Sequence, residues 1–485
     1  MKWLFFALSI AIIFPLAAWL RRNPEQFRIV WFVFGFLPFG LTLSPLFGIA
    51  LINWAGWPGY AKGALFLALD AAVLAICLSQ PRSQNSLPFL KPMLLYFGVV
   101  LLSVLLARIP MAAMFYPWQL LRVFLLYLVV ARASADRAVI FPLLAGLTAG
   151  LCLEAGIMGY QRIVLGELQP NGSFGHQNQL GIVANLILLP LFALLLSGRT
   201  GWIGLVGPVA GCIVVVLTTS RATVGLAAVG LAALFLVSVV RQRTAWKARM
   251  GLVGAVALAL LAPIAITSFE ARFAKAPIEI VGGYDERVAF IEAARRMLED
   301  HPLGVGVNNF VLVANVDGYF DRAGVTWVRT SRGAHVHNVY WLAAAETGYL
   351  GLAALLLLMF VPLKAALTCG WRHREDRRGD LLLGLGVSLM VLYVHCYYEW
   401  IFFTSTVQYM LAINFGLIAG LTQQLGYWRK AERGGEASPL ETSVLAGAGA
   451  GDIDPAVREQ DDVLWGIARL DSAHAGSDLS KGEAH

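Results

Sequence analysis

Thirteen stretches of this 485-residue chain are apolar for long enough to cross the hydrocarbon core of a bilayer, and this property constrains the fold more than any other. They fall at 3–20, 28–52, 62–79, 89–107, 115–131, 138–158, 179–197, 201–219, 222–240, 249–268, 339–363, 381–397 and 400–424. Inside hydrocarbon each backbone N–H and C=O needs a partner within the protein, so such runs predict an all-α polytopic membrane protein. The second run contains Pro38 and Pro45 and is a candidate for a broken or re-entrant segment, so the expected number is about 12–14 transmembrane helices. Charged residues make up 14% of the chain, against about 25% in soluble domains. The first run lacks a small-residue cleavage site and is followed at once by Arg21 and Arg22, which reads as a retained helix rather than a signal peptide.

Charge then orients the helices. If the connection after the first run is cytoplasmic, its side of the membrane holds twenty Lys and Arg in short segments. The other side holds five: Lys2, Lys62, Arg108, Arg162 and Arg221. Cytoplasmic connections collect Lys and Arg, so this bias places the N-terminus and the long segment 269–337 outside. The expected organisation is N-terminal transmembrane helices at 1–88, a transmembrane core at 89–268 and one large, partly helical extracytoplasmic loop at 269–337. C-terminal transmembrane helices follow at 338–425. A cytoplasmic tail at 434–485, poor in apolar residues and net acidic, is expected to be disordered.

The formal net charge of +7 sits mostly in short connections, where it sets orientation, so nucleic acid is excluded as a partner and membrane lipids are expected. The five cysteines avoid the large loop, which argues against a disulfide framework.

Ionisable residues near bilayer depth are costly and mark function or pairing. Arg122, Glu154, Arg221, Glu346, His395 and Glu399 gather toward the outer side, while Asp70 sits nearer mid-membrane. They are structural pairs taken singly; together they favour a polar site on the face that carries the loop. Within the loop, Asp285 is a candidate N-cap for a helix with Val288, Ile291, Ala294 and Leu298 on one face, stopped by His301-Pro302. Arg287 lies in its first turn and presents a planar fork suited to phosphate, although a solvated basic face has the same pattern. The loop ends at His335-Val336-His337-Asn338-Val339-Tyr340. A histidine at a membrane mouth is a candidate general base. No third ligand stands at usual spacing, so neither a metal nor another cofactor is expected.

Four stretches in order resemble the O-antigen ligase and O-antigen (exopolysaccharide) polymerase superfamily of membrane glycosyltransferases. They are Gly172-Ser173-Phe174-Gly175-His176-Gln177-Asn178-Gln179-Leu180-Gly181, then Thr219-Ser220-Arg221, then Arg287 through Pro302-Leu303-Gly304-Val305-Gly306, then His337-Asn338-Val339-Tyr340 with Glu346-Thr347-Gly348. The resemblance covers roughly residues 90–425. It implies an enzyme of the bacterial inner membrane, working at the periplasmic face without a metal. Its donor would be a glycan on undecaprenyl diphosphate, its acceptor the hydroxyl of a glycan or lipid, and transfer would invert the anomeric carbon. Carried over, Arg221 and Arg287 would hold the diphosphate and His337 would be the catalytic base. Arg122 is added as a third diphosphate contact, with His176, Asn178, Asn338, Glu346 and His335 in support, His335 also competing for the role of base. The His-Gln-Asn-x-Leu-Gly form leans toward polymerases of exopolysaccharide or O-antigen, with a chain-length regulator as a further partner. Ligation to lipid A-core is the alternative, and a lipid-linked glycan flippase or transporter is a reading of another class. A peptidoglycan-type glycosyltransferase would instead use an acidic loop residue such as Asp317 or Asp321.

Overall fold

The computed structural model describes residues 2–43, 48–80, 87–198, 201–274 and 280–428. The tail expected at 434–485 lies outside the described residues. All thirteen apolar runs contain helix. Eight helices among the described residues are long and apolar enough to cross a membrane, and three more, Ala68–Ser79, Leu90–Leu106 and Ile203–Leu217, are apolar but shorter.

The chain opens with α1 (Lys2–Ala11) and α2 (Ile13–Arg22), followed by α3 (Phe27–Leu43). Here the second run is broken, as Pro38 and Pro45 suggest, but the piece after the break is a strand that the sequence reading does not foresee. The second run is not one helix: α3 ends at Leu43, and Gly48–Asn53 forms β1. The third run begins as β2 (Gly63–Leu67) and only then becomes α4 (Ala68–Ser79). β1 and β2 pair antiparallel, Ile49 opposite Phe66, with an irregularity between Ala50 and Ile52. A short apolar run has no period that separates a buried strand from a buried helix, which is why the hairpin escaped the sequence.

Two ends of the helix bundle can be told apart by contact. At one end Arg21 donates to the Leu78 carbonyl. Farther along, α5 (Leu90–Ser103), α6 (Pro110–Ala113) and α7 (Phe115–Ala133) lead to α8 (Arg137–Ile163). Gln424 Nε2 reaches the Ser134 carbonyl at 2.7 Å, which puts the α7–α8 turn at the Arg21 end together with the close of the last helix. The chain continues through α9 (Gln177–Ser197), α10 (Ile203–Leu217), α11 (Arg221–Arg241) and α12 (Ala245–Ala274). Arg241 pairs with Asp380 and donates to the His373 carbonyl at 2.6 Å, so the basic connection after α11 joins the same end.

The opposite end carries the hairpin, the 164–176 connection and the large loop. The loop folds as α13 (Ile280–Asp300), α14 (Phe310–Val316), α15 (Tyr319–Arg322) and α16 (Arg329–Arg332). α17 (Val339–Arg372), α18 (Arg377–His395) and α19 (Ser405–Gln424) complete the fold. α13 starts five residues before Asp285, so Asp285 lies inside the helix and is not its N-cap. Its buried face also differs from the expected one: Phe290, Ala293, Ala294, Met297 and Leu298 face inward, whereas Val288 is exposed. Both stripes satisfy helical spacing, and the larger Phe290 and Met297 side chains decide which one the loop covers.

The loop is fastened by buried polar groups. Glu346 accepts the Tyr60 hydroxyl at 2.7 Å and the Phe310 amide at 3.1 Å. Asn308 accepts the Ala61 amide at 3.0 Å and donates to the carbonyls of Ala61 and Ala112 at 2.8 and 2.9 Å. α17 is broken at Gly348, whose φ of 68° lies in the left-handed region. A Cβ there would stand 2.4 Å from the Pro302 carbonyl oxygen, so this position requires glycine on both counts. Glu346 therefore belongs to a short helical segment before the break, and it ties the loop down instead of facing lipid.

Candidate active site

His337 reaches its place because the start of α17 is clamped to the turn between α18 and α19. The Val339 amide donates to the Cys396 carbonyl at 2.8 Å, and Asn338 Nδ2 donates to the Tyr397 carbonyl at 3.1 Å. Asn338 also caps α17, its Oδ1 accepting the amides of Tyr340 and Trp341 at 3.0 and 3.1 Å. This clamp sets His337 Nδ1 3.2 Å from Glu399 Oε2.

Glu399 is the hub of the site. Its Oε1 accepts from Asn178 Nδ2 at 2.8 Å, and Arg287 from the first half of α13 lies 3.9 Å away. Four separate parts of the chain thus converge on one carboxylate that is 7% exposed. Burial works against its charged form, but the His337 hydrogen bond and the charges of His337, Arg287 and His395 outweigh it, and Glu399 titrates below the ordinary carboxylate range.

Asn178 belongs to the first turn of α9, which His176 caps by accepting the Asn178 amide on Nδ1 at 3.2 Å. An imidazole that accepts on Nδ1 must be neutral there. Burial likewise depresses the His176 pKa, Glu399 raising it and His337 lowering it. Beyond Asn178, Gly181 lets the first turn of α11 come close: a Cβ there would stand 2.4 Å from Thr223. Arg221 is the first residue of α11, behind Thr219 with a φ of 49° and the cap Ser220, whose Oγ accepts the Thr223 amide at 3.4 Å. Three capped helix starts, those of α9, α11 and α17, therefore lie at the loop end, and their dipoles favour an anion.

Among the described residues, Asn178 Oδ1 and both ring nitrogens of His395 are buried here without a hydrogen-bond partner. Unsatisfied groups of this kind, placed around Glu399, suit a site that is completed by a hydroxyl-bearing ligand or water.

The structure sorts the sequence candidates. His337, Asn178, Arg287 and His176 share the Glu399 neighbourhood, and Asn338 builds the clamp. His335 is different: it is 5% exposed, stacked on Trp400 at 4.4 Å between ring centroids, with Tyr60 on another side at 5.6 Å. Burial first, then His337 and Lys62, push its pKa down to about 3. Arg122 is buried elsewhere, with Nε 2.8 Å from Asp70 and an amino group 2.5 Å from the Tyr409 hydroxyl. Asp317 pairs with Arg108, and Asp321 lies 2.7 Å from Arg332. In the sequence Glu399 stands out only as an outer charge. The signal that could have singled it out is a lone carboxylate in a turn otherwise rich in aromatic residues, Tyr397-Tyr398-Glu399-Trp400.

Fold and site together define a multi-pass membrane protein with a polar, titratable site at one end of its helix bundle. Residues 184–356 match the family model described as O-antigen ligase, which supports the resemblance to the O-antigen ligase and polymerase superfamily. The match runs from α9 past the Gly348 break and takes in Arg221, Arg287, His335, His337, Asn338 and Glu346. No curated protein matches the chain.

Proposed function

We propose that this protein is an inverting, metal-independent glycosyltransferase that moves an oligosaccharide from undecaprenyl diphosphate to an acceptor hydroxyl, polymerising repeat units of exopolysaccharide or O-antigen at the periplasmic face of a bacterial inner membrane. The observation that carries this reading is the His337–Glu399 pair at 3.2 Å with Arg287 beside the same carboxylate. A carboxylate on Nδ1 fixes the neutral tautomer with Nε2 free to accept a proton. His337 is part-exposed, as a base that meets substrate must be, whereas His335 is enclosed.

In the proposed step, His337 Nε2 removes the acceptor hydroxyl proton. The acceptor oxygen then bonds to the anomeric carbon from the face opposite the diphosphate. The bond from that carbon to the diphosphate oxygen breaks, and lipid diphosphate leaves with the electron pair. Arg287, Arg221 and the helix starts offset the negative charge that grows on it. The basic connections collect at the far end of the bundle, with Arg21, Arg241 and Arg378 among them, which supports an outward-facing loop.

Transfer from purified lipid-linked repeat units by protein in nanodiscs tests the proposal. With donor held below the wild-type KM, His337→Ala, Arg221→Ala and Arg287→Ala should each lose most or all product at unchanged protein level, and EDTA should leave the wild type unaffected. Normal product from all three variants removes the site. A ladder of products identifies a polymerase, single transfer a ligase.

A further inference from the structure

A second feature of the loop bears on the glycan itself. Trp327 is 79% exposed, yet one face of its indole is covered: the Arg332 guanidinium carbon lies 3.9 Å from the ring centroid. Arg332 is held in turn by Asp321 at 2.7 Å and by the carbonyls of Val325 and Thr326 at 2.9 and 3.3 Å. The indole is thus a flat apolar plate with a fixed back and an open front. Beside it in the chain, Thr326 lines an open hollow of about 550 Å³ between the Glu286–Glu292 stretch of α13 and the 323–326 turn, within the range of small-molecule sites. Its polar lining is Glu286, Glu292 and Thr326, and Gly324 leaves the floor open.

We propose that this hollow, with Trp327 as its stacking plate, binds sugar units of the glycan that lie beyond the reacting ones. A pyranose has an apolar face of C–H groups and a rim of hydroxyl donors, which matches an aromatic plate bordered by carboxylate acceptors. Glu286 disfavours a phosphate there, Glu292 being already paired with Arg295 and Arg296, and an acyl chain would cost the Glu286 carboxylate its solvent. The placement also fits: Thr326 donates to Glu286 at 2.9 Å, and the next residue in the chain, Arg287, faces Glu399. A sugar held here would extend from the reacting end along α13. The subsite rests on the glycosyl-transfer reading for its ligand class but involves none of that reading's reacting groups.

The test is saturation-transfer NMR on the full-length protein in detergent. The probes are oligosaccharides released by mild acid from the envelope polysaccharide of the source cells. Wild type should transfer saturation to sugar ring protons. Trp327→Ala should weaken binding about threefold to tenfold, the range of an aromatic contact, and Trp327→Phe should keep most of it, both checked for intact folding by size-exclusion profile. His337→Ala should bind like wild type. No transfer to wild type, equal binding by Trp327→Ala, or equal loss in the Ala and Phe variants overturns the subsite. Failure of the wild type to make product in the transfer assay would overturn the transferase reading while leaving a Trp327-dependent signal in place.

Discussion

His337 and Glu399 are 62 positions apart in sequence, and their side chains meet at 3.2 Å because the start of α17 is hydrogen-bonded to the turn that precedes α19. In the proposed mechanism the histidine is the base and the carboxylate fixes which nitrogen is free.

Replacing the carboxylate should therefore impair turnover more than binding. Glu399→Gln is expected to lower kcat by about one to two orders of magnitude, at or below the lower end of what general-base catalysis contributes, with KM for donor little changed. Steady-state kinetics check this; an unaltered kcat removes Glu399 as a positioning residue.

Arg287 should act on the donor. Loss of a charge-assisted contact to diphosphate costs about 1.5–3 kcal/mol, so Arg287→Ala should raise KM for lipid-linked donor roughly tenfold to a hundredfold. Arg287→Lys, which keeps charge without the fork, should fall between. Donor titrations in nanodiscs give the answer.

His335 makes stability depend on acid. Its folded pKa is down to about 3 from the ordinary 6.5. Below pH 6.5 the unfolded chain takes up a proton that the folded chain refuses, so stability is full above that value. It falls by about 1.4 kcal/mol per unit as the pH drops toward 3. His335→Phe, which keeps the stack on Trp400, should reduce the fall in melting temperature between pH 7 and 5.

Asp70 and Arg122 form a buried pair, 2.8 Å apart, within the bundle. Asp70→Ala strands a guanidinium and should destabilise by about 3–5 kcal/mol, whereas the double replacement Asp70→Asn with Arg122→Met should recover part of that loss. Thermal melts of the detergent-solubilised proteins compare them.

Gly348→Ala asks a side chain to take a left-handed backbone where the Pro302 carbonyl already fills the space. A cost of about 1–3 kcal/mol is expected from backbone alone, with looser docking of the loop and faster proteolysis within residues 302–338. Limited proteolysis of the membrane-embedded protein measures it.

The sequence by itself determined the membrane class, most helix positions, the location of the large loop and the gathering of charge at the loop end. These follow from local quantities: the length of an apolar run, and which connections carry Lys and Arg. It also supplied His337, Arg221 and Arg287 through their motifs. Tertiary structure alone decided which charges are partners. Arg122 looks like an outer cation in sequence, and only the packing of α4 against α7 gives it Asp70. Glu346 reads as a charge at depth, and only the break at Gly348 turns it toward the loop backbone. Glu399 carries no motif, and the folding of two distant segments into one clamp makes it the hub. Helical periodicity fixes neighbours three and four residues apart; pairings across tens or hundreds of residues depend on how helices cross and on which buried polar group finds a partner there, and the three-dimensional fold sets both.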